Sequence, residues 1–345
     1  MNMEFFRKLP TPKEIKQMYP LNEKLALQKE QNDQQIKAIF ENKSNKLLLI
    51  IGPCSADNED AAMKYLHLLK EVQEEVKDKI VIIPRLYTNK PRTTTLGYKG
   101  MLHQPNPLSD PDMLNGLISI RKLHMRALEE TGFSCADEML YPENHRYLSD
   151  LLSYTAVGAR SVENQNHRLT ASGLTIPVGM KNPTNGDLSL MLNAINAAQH
   201  SHTFIYRGWE VKSKGNSLAH AVLRGYTDIN GQVFSNYQKD SILKLYKLYN
   251  NANYINPSLI IDTNHCNSNK NYLKQVDIVN EVLSFMKDDA NLQKFIKGFM
   301  IESYLEDGNQ NIDGGIFGKS ITDPCLGWNK TKNLILNIYT TLKTF

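Results

Sequence analysis

At 345 residues, with 41% hydrophobic and 22% charged residues, the chain has the composition of a folded globule, and no long polar or Pro/Gly-rich stretch marks a disordered tail or linker. A formal charge of +4 is too small for this length to single out nucleic acid as a partner. No apolar run approaches a membrane span, and the start, MNMEFFRKLPTPKEIK, lacks the apolar core of a signal peptide.

Residues 1–45 predict a polar, helical N-terminal extension. Pro10, Pro12 and Pro20 interrupt its first part, and LNEKLALQKEQNDQQIKAIF carries a weak amphipathic period, as expected of a segment that packs on the main domain or on a neighbouring subunit. From residue 46 to 345 the texture is that of repeated βα units. The predicted strands are LLLII (47–51), IVIIPRL (80–86), SCADEM (134–139), TAVGAR (155–160), IPVGM (176–180), HTFIY (202–206), SLIIDT (258–263) and KGFMIE (297–302). Segments with helical spacing, such as 58–76, 111–130, 187–199 and 268–286, lie between them and are long enough to cross back over a sheet. Eight such repeats in about 300 residues predict a closed (β/α)₈ TIM barrel in place of a doubly wound sheet. The irregular stretch 207–235 predicts a short extra hairpin around Gly215-Asn216 before the sixth helix.

A chemically capable residue stands at or just past the end of almost every predicted strand: Cys54, Arg85, Glu138, Arg160, Lys181, His265 and Glu302. In a barrel these side chains converge on one face. Cys54, His265 and Glu302, with Asp323 in GKSITDPC, supply a thiolate, an imidazole and two carboxylates. That mixed set suits a divalent transition ion such as manganese, iron, cobalt or zinc. Taken singly, Cys54 reads equally as a buried free thiol and His265 as a hydrogen-bonded core residue. Cys54, Cys135, Cys266 and Cys325 follow no CxxC or disulfide-scaffold pattern, which fits a reducing compartment, the cytoplasm being the simplest.

A second set is cationic: Arg85, Lys90, Arg92, Arg160, Lys181 and Arg224. In NKPRTTT (89–95), Lys90, Arg92 and the hydroxyls of Thr93 and Thr94 share a short loop stiffened by Pro91, a combination able to clamp a phosphate. Alone it is also an exposed basic loop. Gathered on one barrel face, six cations require anions, and two phosphate monoesters with a carboxylate bring about five negative charges.

These residues lie in motifs that resemble one family. IGPCS (51–55), KPRTT (90–94), GYKG (97–100), GARSVENQNHR (158–168), PVGMKNPTNG (177–186), LRG (223–225), DTNHCNS (262–268), ESYLEDGNQ (302–310) and GKSITDPC (318–325) are similar to the class I 3-deoxy-D-arabino-heptulosonate 7-phosphate (DAHP) synthases along the whole barrel. The resemblance implies condensation of phosphoenolpyruvate with erythrose 4-phosphate, a homodimer or homotetramer, and a metal held by Cys54, His265, Glu302 and Asp323. It further implies that Arg85, Arg160, Lys181 and Arg224 grip phosphoenolpyruvate, with Glu138 near Lys181 or a water. Lys90, Pro91, Arg92, Thr93 and Thr94 hold the erythrose phosphate, and Lys90, Lys181, Glu138 and His265 are the expected catalytic groups. A Schiff-base aldolase acting through Lys181, or a sister synthase using another phosphosugar, is the alternative. The sequence departs from the family at two places. The first motif continues as SADN in place of Ser-Ile-His-Asp, and IYRGWEVKSKGNSLAH is shorter than the usual hairpin beyond strand six, which leaves open whether an aromatic amino acid inhibits through that region.

Overall fold

The computed structural model describes residues 1–92, 96–252 and 254–345, so Thr93 and Thr94 lie outside the described residues. The strands are β1 (Leu47–Gly52), β2 (Ile80–Pro84), β3 (Ala136–Glu138), β4 (Tyr154–Val157), β5 (Val178–Lys181), β6 (Thr203–Tyr206), β7 (Trp209–Lys212), β8 (Ala219–Leu223), β9 (Tyr226–Thr227), β10 (Val233–Phe234), β11 (Leu259–Asp262) and β12 (Ile296–Glu302). Eight of them form one parallel sheet in the order β2-β1-β12-β11-β8-β5-β4-β3. The two end strands meet through a parallel bridge between Arg85 and Ala136, and Leu86 N donates to Ala136 O at 2.9 Å. This seam closes the (β/α)₈ barrel.

Alternation along each strand separates two cores. Leu47, Leu49 and Ile51 face the surrounding helices, whereas Leu48 and Ile50 point inward to meet Ile83, Tyr154, Val222, Ile260 and Met300. Outer helices α3 (Glu59–Val76), α4 (Met113–Arg126), α5 (Pro142–Leu148), α6 (Gln165–Ser172), α7 (Leu188–Gln199), α8 (Lys239–Asn251), α9 (Lys274–Asp288), α10 (Ala290–Phe295) and α11 (Trp328–Leu342) cover that outer face. Side-chain caps start several of them: Asn58 accepts from Ala61 N and Asp187 from Ser189 N. Two helices precede the barrel, α1 (Pro12–Met18) and α2 (Glu23–Phe40). Ile36, Ile39 and Phe40 at the end of α2 join the inner core, with the Phe40 ring 4.4 Å from that of His220, so α2 stoppers the N-terminal end of the barrel.

Two expectations are corrected. HTFIY is not the sixth barrel strand. Its residues β6 pair antiparallel with β7 as a hairpin outside the barrel, and the sixth strand is β8, AHAVL, between β5 and β11. The reason is burial: β6 alternates between exposed and half-buried, while all five residues of β8 are buried. The hairpin turn also falls at Arg207-Gly208, both with positive φ, and not at Gly215-Asn216; Asn216 instead donates to Ala171 O and Ile176 O. A further small hairpin, β9-β10, follows β8. No helix among the described residues is long and apolar enough to cross a membrane.

Candidate active site

With the sixth strand placed at β8, all eight barrel strands end on a chemically capable residue, because Arg224 directly follows Leu223. The strand C-termini thus present Cys54, Arg85, Glu138, Arg160, Lys181, Arg224, His265 and Glu302 at one mouth.

A thiol and two carboxylates meet there. Ligand atoms of Cys54, Glu302 and Asp323 all lie within 4.8 Å of one another. His265 stands beside this trio, its Nε2 3.9 Å from Glu302 Oε1. The histidine backbone is held in the left-handed region at φ 52°, an uncommon conformation for a non-glycine residue that aims its ring back at the strand ends. Its Nδ1 is 2.9 Å from Asp262 Oδ2. Burial pushes the Cys54 thiol pKa up, and the nearby Glu302 charge pushes it further. Burial alone would raise Glu302 as well, but Arg85 and His265 hold it below the usual carboxylate range. One soft sulfur with hard oxygens and an adjacent imidazole is a donor set that fits a first-row transition ion.

The cations surround this cluster. Buried Arg85 reaches Glu302 Oε1 at 2.6 Å, donates to Pro53 O and Cys54 O, and stacks 3.9 Å from the centre of the Tyr87 ring. Among the described residues its Nη1 is buried without a hydrogen-bond partner, so that nitrogen can donate to an acceptor that enters the pocket. Lys181 Nζ is 3.0 Å from Asp262 Oδ2. That carboxylate, and not Glu138, is the one paired with Lys181; Glu138 Oε1 lies instead against Gly158, where a Cβ would come within 2.3 Å of it. Arg224 is half-buried, its backbone N–H donating to Asn182 Oδ1, and Arg160 is exposed at the rim.

The loop after β2 brings Lys90 Nζ to 2.9 Å from Cys54 Sγ and lays Arg92 Nε on Tyr98 O at 2.8 Å. The buried carboxylate of Asp137 secures its base by accepting from the backbone N–H and the hydroxyl of Thr88. Gly100 permits the close approach, because at φ 94° a Cβ there would sit 2.4 Å from Thr88 O.

Asp262, Asn264 and Asp137 were not picked out by sequence reasoning. Asn264 Nδ2 donates to Glu302 Oε2 at 2.6 Å, and Asp262 bridges His265 and Lys181. A signal existed for Asp262: an acidic residue three positions before a histidine at a strand end is well placed to orient the ring. Asp137 faces away from the mouth, and nothing in its spacing marks it.

A sequence profile of the DAHP synthetase I family matches residues 24–335. The chain belongs to that family. Among family relatives, the Tyr-sensitive phospho-2-dehydro-3-deoxyheptonate aldolase of Escherichia coli K12 is 35% identical over 340 residues, spanning 96% of this chain and 92% of the relative. The phospho-2-dehydro-3-deoxyheptonate aldolase of Haemophilus influenzae is 36% identical over 332 residues, spanning 94% and 89%. Among solved structures, the phospho-2-dehydro-3-deoxyheptonate aldolase of Francisella tularensis superposes with a TM-score of 0.91 at 30% identity, covering 99% of each chain. The DAHP synthetase barrel is therefore shared along nearly the full length.

Proposed function

We infer that this protein is a metal-dependent DAHP synthase, which condenses phosphoenolpyruvate, D-erythrose 4-phosphate and water to DAHP and phosphate, the entry step of aromatic amino acid biosynthesis. The observation that carries the reading is the convergence of a thiol–carboxylate–imidazole cluster and six cations on one barrel mouth in a chain of this family. Cys54, His265, Glu302 and Asp323 hold a divalent ion of the manganese, iron, cobalt or zinc type. Bound there, such an ion supplies Lewis-acid polarisation of the aldehyde.

The chain's own residues do the rest. Arg85, through the Nη1 that has no partner among the described residues, with Arg160, Lys181 and Arg224, receives the phosphate and carboxylate of phosphoenolpyruvate. Lys90, Pro91 and Arg92, together with Thr93 and Thr94, bind the erythrose phosphate, and the Lys90 ammonium links that loop to the metal cluster through Cys54 Sγ. So placed, carbon 3 of phosphoenolpyruvate attacks the aldehyde carbon and its π electrons form the new carbon–carbon bond. Water adds to carbon 2, one of its protons passing to the alkoxide formed from the aldehyde oxygen, and the resulting hemiketal phosphate expels inorganic phosphate by carbon–oxygen cleavage as its hydroxyl becomes the ketone. We assign the proton transfers to Glu138, because His265, with one ring nitrogen toward the metal cluster and the other on Asp262, has neither free to exchange a proton. Holding both substrates in reacting geometry in a water-poor pocket contributes several kcal/mol to lowering the barrier. A Schiff-base route would need the Lys181 amine that Asp262 engages at 3.0 Å.

We further infer a cytoplasmic homo-oligomer, dimer or tetramer, in which residues 1–45 serve as a contact or regulatory extension to the 46–345 barrel. Support comes from four free cysteines and from exposed apolar residues Phe5, Phe6, Ile205 and Trp209. The deciding assay follows phosphate release from both substrates, with and without chelator. Release should require erythrose 4-phosphate, vanish on chelation and return with manganese; undiminished turnover in stripped protein would reject the reading.

A further inference from the structure

At the opposite pole of the barrel from the catalytic mouth, a pocket of about 250 Å³ is lined by Lys46, Lys79, Lys294 and Lys297, and no Asp or Glu lines it. Its placement follows from strand register. Leu47 pairs with Ile80 and Leu48 with Gly298, so Lys46 and Lys79 precede paired positions on β1 and β2, and Lys297 stands one strand further on β12. Like charges opposed across neighbouring strands destabilise a sheet. A counter-charge would relieve the arrangement.

Lys297 makes the case more specific. Its side chain is only 5% exposed, and its ammonium group donates to the side-chain oxygen of Asn42, a neutral acceptor, at 2.5 Å. Burial alone pulls its pKa down to about 8, with no carboxylate to hold it up. The C-terminal turns of α2, α9 and α11 border the pocket through Ile39, Met286 and Leu342. Each contributes roughly half a negative charge at most, about 1.5 in total, and the α-carboxylate of Phe345, which also lines the pocket, adds one more, so the four lysines remain in excess. Space is available as well: at ~30 Å³ per water, the pocket holds about eight waters, or one tetrahedral anion with part of its hydration shell.

We propose that this lysine pocket is an anion site for a phosphate group, distinct from the catalytic mouth, in which Lys297 is the buried anchor and Lys46, Lys79 and Lys294 close over the ligand. The phosphate belongs either to free inorganic phosphate or to a small phosphate ester, since both present the same group to the lysines. A peptide helix or a nucleic-acid strand is too large for the volume.

The test is acetylation of the full-length protein by acetic anhydride at mildly alkaline pH, read lysine by lysine by mass spectrometry, with inorganic phosphate and glycerol phosphate as separate probes. At saturating probe, modification of Lys297, Lys46 and Lys79 should slow on the order of tenfold by mass action, while exposed lysines such as Lys343 are unaffected. Protection by both probes assigns recognition of the phosphate group; protection by glycerol phosphate alone assigns an esterified ligand. The R160A/R224A double variant, weakened at the mouth, should keep the protection. K297M should lose it at Lys46 and Lys79 while retaining synthase turnover, which shows that it folds, and K79M, at a half-buried rim position, should weaken it. Identical acetylation with and without either probe, or protection that disappears with R160A/R224A and survives K297M, would overturn the proposal.

Discussion

Asp262 engages His265 Nδ1 at 2.9 Å and Lys181 Nζ at 3.0 Å with one buried carboxylate. Burial alone would raise its pKa, but His265 and Lys181 hold it well below the usual range, so it stays charged and fixes both neighbours at once. Removing that charge while keeping the shape, in Asp262→Asn, should weaken manganese affinity and kcat/KM by roughly 10- to 100-fold. Manganese titration and phosphoenolpyruvate kinetics check this, and unaltered values in both would show that Asp262 positions neither group. Arg92 differs because it sits on the loop and, among the described residues, donates to Tyr98 O. Arg92→Ala should therefore raise KM for erythrose 4-phosphate by roughly 10- to 100-fold, as for loss of a charged hydrogen bond, with little change for phosphoenolpyruvate. Equal effects on both substrates would remove that loop from the erythrose phosphate site.

At the scale of elements, strand position was legible wherever a short apolar run ended on a functional residue, as at LLLII before Cys54 or SLIIDT before His265. The sixth repeat was not legible, because HTFIY has the β-branched and aromatic composition of a strand and forms one, but in a hairpin that never reaches the barrel. AHAVL has weaker strand propensity, and its identity comes from burial between β5 and β11, a tertiary effect that no local window contains. The stoppering role of α2 was hidden for a similar reason. Its weak amphipathic period does not announce that Phe40 enters the inner core. Phe40→Ala should cost about 3–5 kcal/mol of unfolding free energy, measurable by denaturant titration; a loss within error would mean that the inner core closes without it. Beside it, burial holds His220 at about 4. Because the folded form binds its proton less readily than the unfolded chain, whose value is near 6.5, His220 stabilises the fold above that pH. This contribution is lost as pH falls from about 6.5 towards 4, about 3 kcal/mol at most. His220→Asn should flatten the decline in stability between pH 7 and pH 4.5, and an unchanged slope would assign the acid sensitivity elsewhere.

At the scale of the molecule, the candidate metal cluster draws together chain segments that are far apart, since Cys54 follows β1 whereas Glu302 and Asp323 end and follow β12. Manganese at one hundred times its dissociation constant should stabilise the native state by about 2.7 kcal/mol and raise the melting temperature. In Cys54→Ala that rise should disappear, as scanning calorimetry with and without manganese would reveal. A full shift in the variant would place the ion elsewhere.

The seam between β2 and β3 has a consequence for how the enzyme fails. Around the rest of the barrel neighbouring strands share runs of paired residues, but here the wall is joined by the single bridge from Arg85 to Ala136. The residue at this thinnest joint, Arg85, is also one of those proposed to receive substrate. Gentle heating should part the wall there first, and turnover should then decay at temperatures where the circular dichroism of the helices is still intact. Catalysis in this protein is thus an early-warning gauge of its own melting.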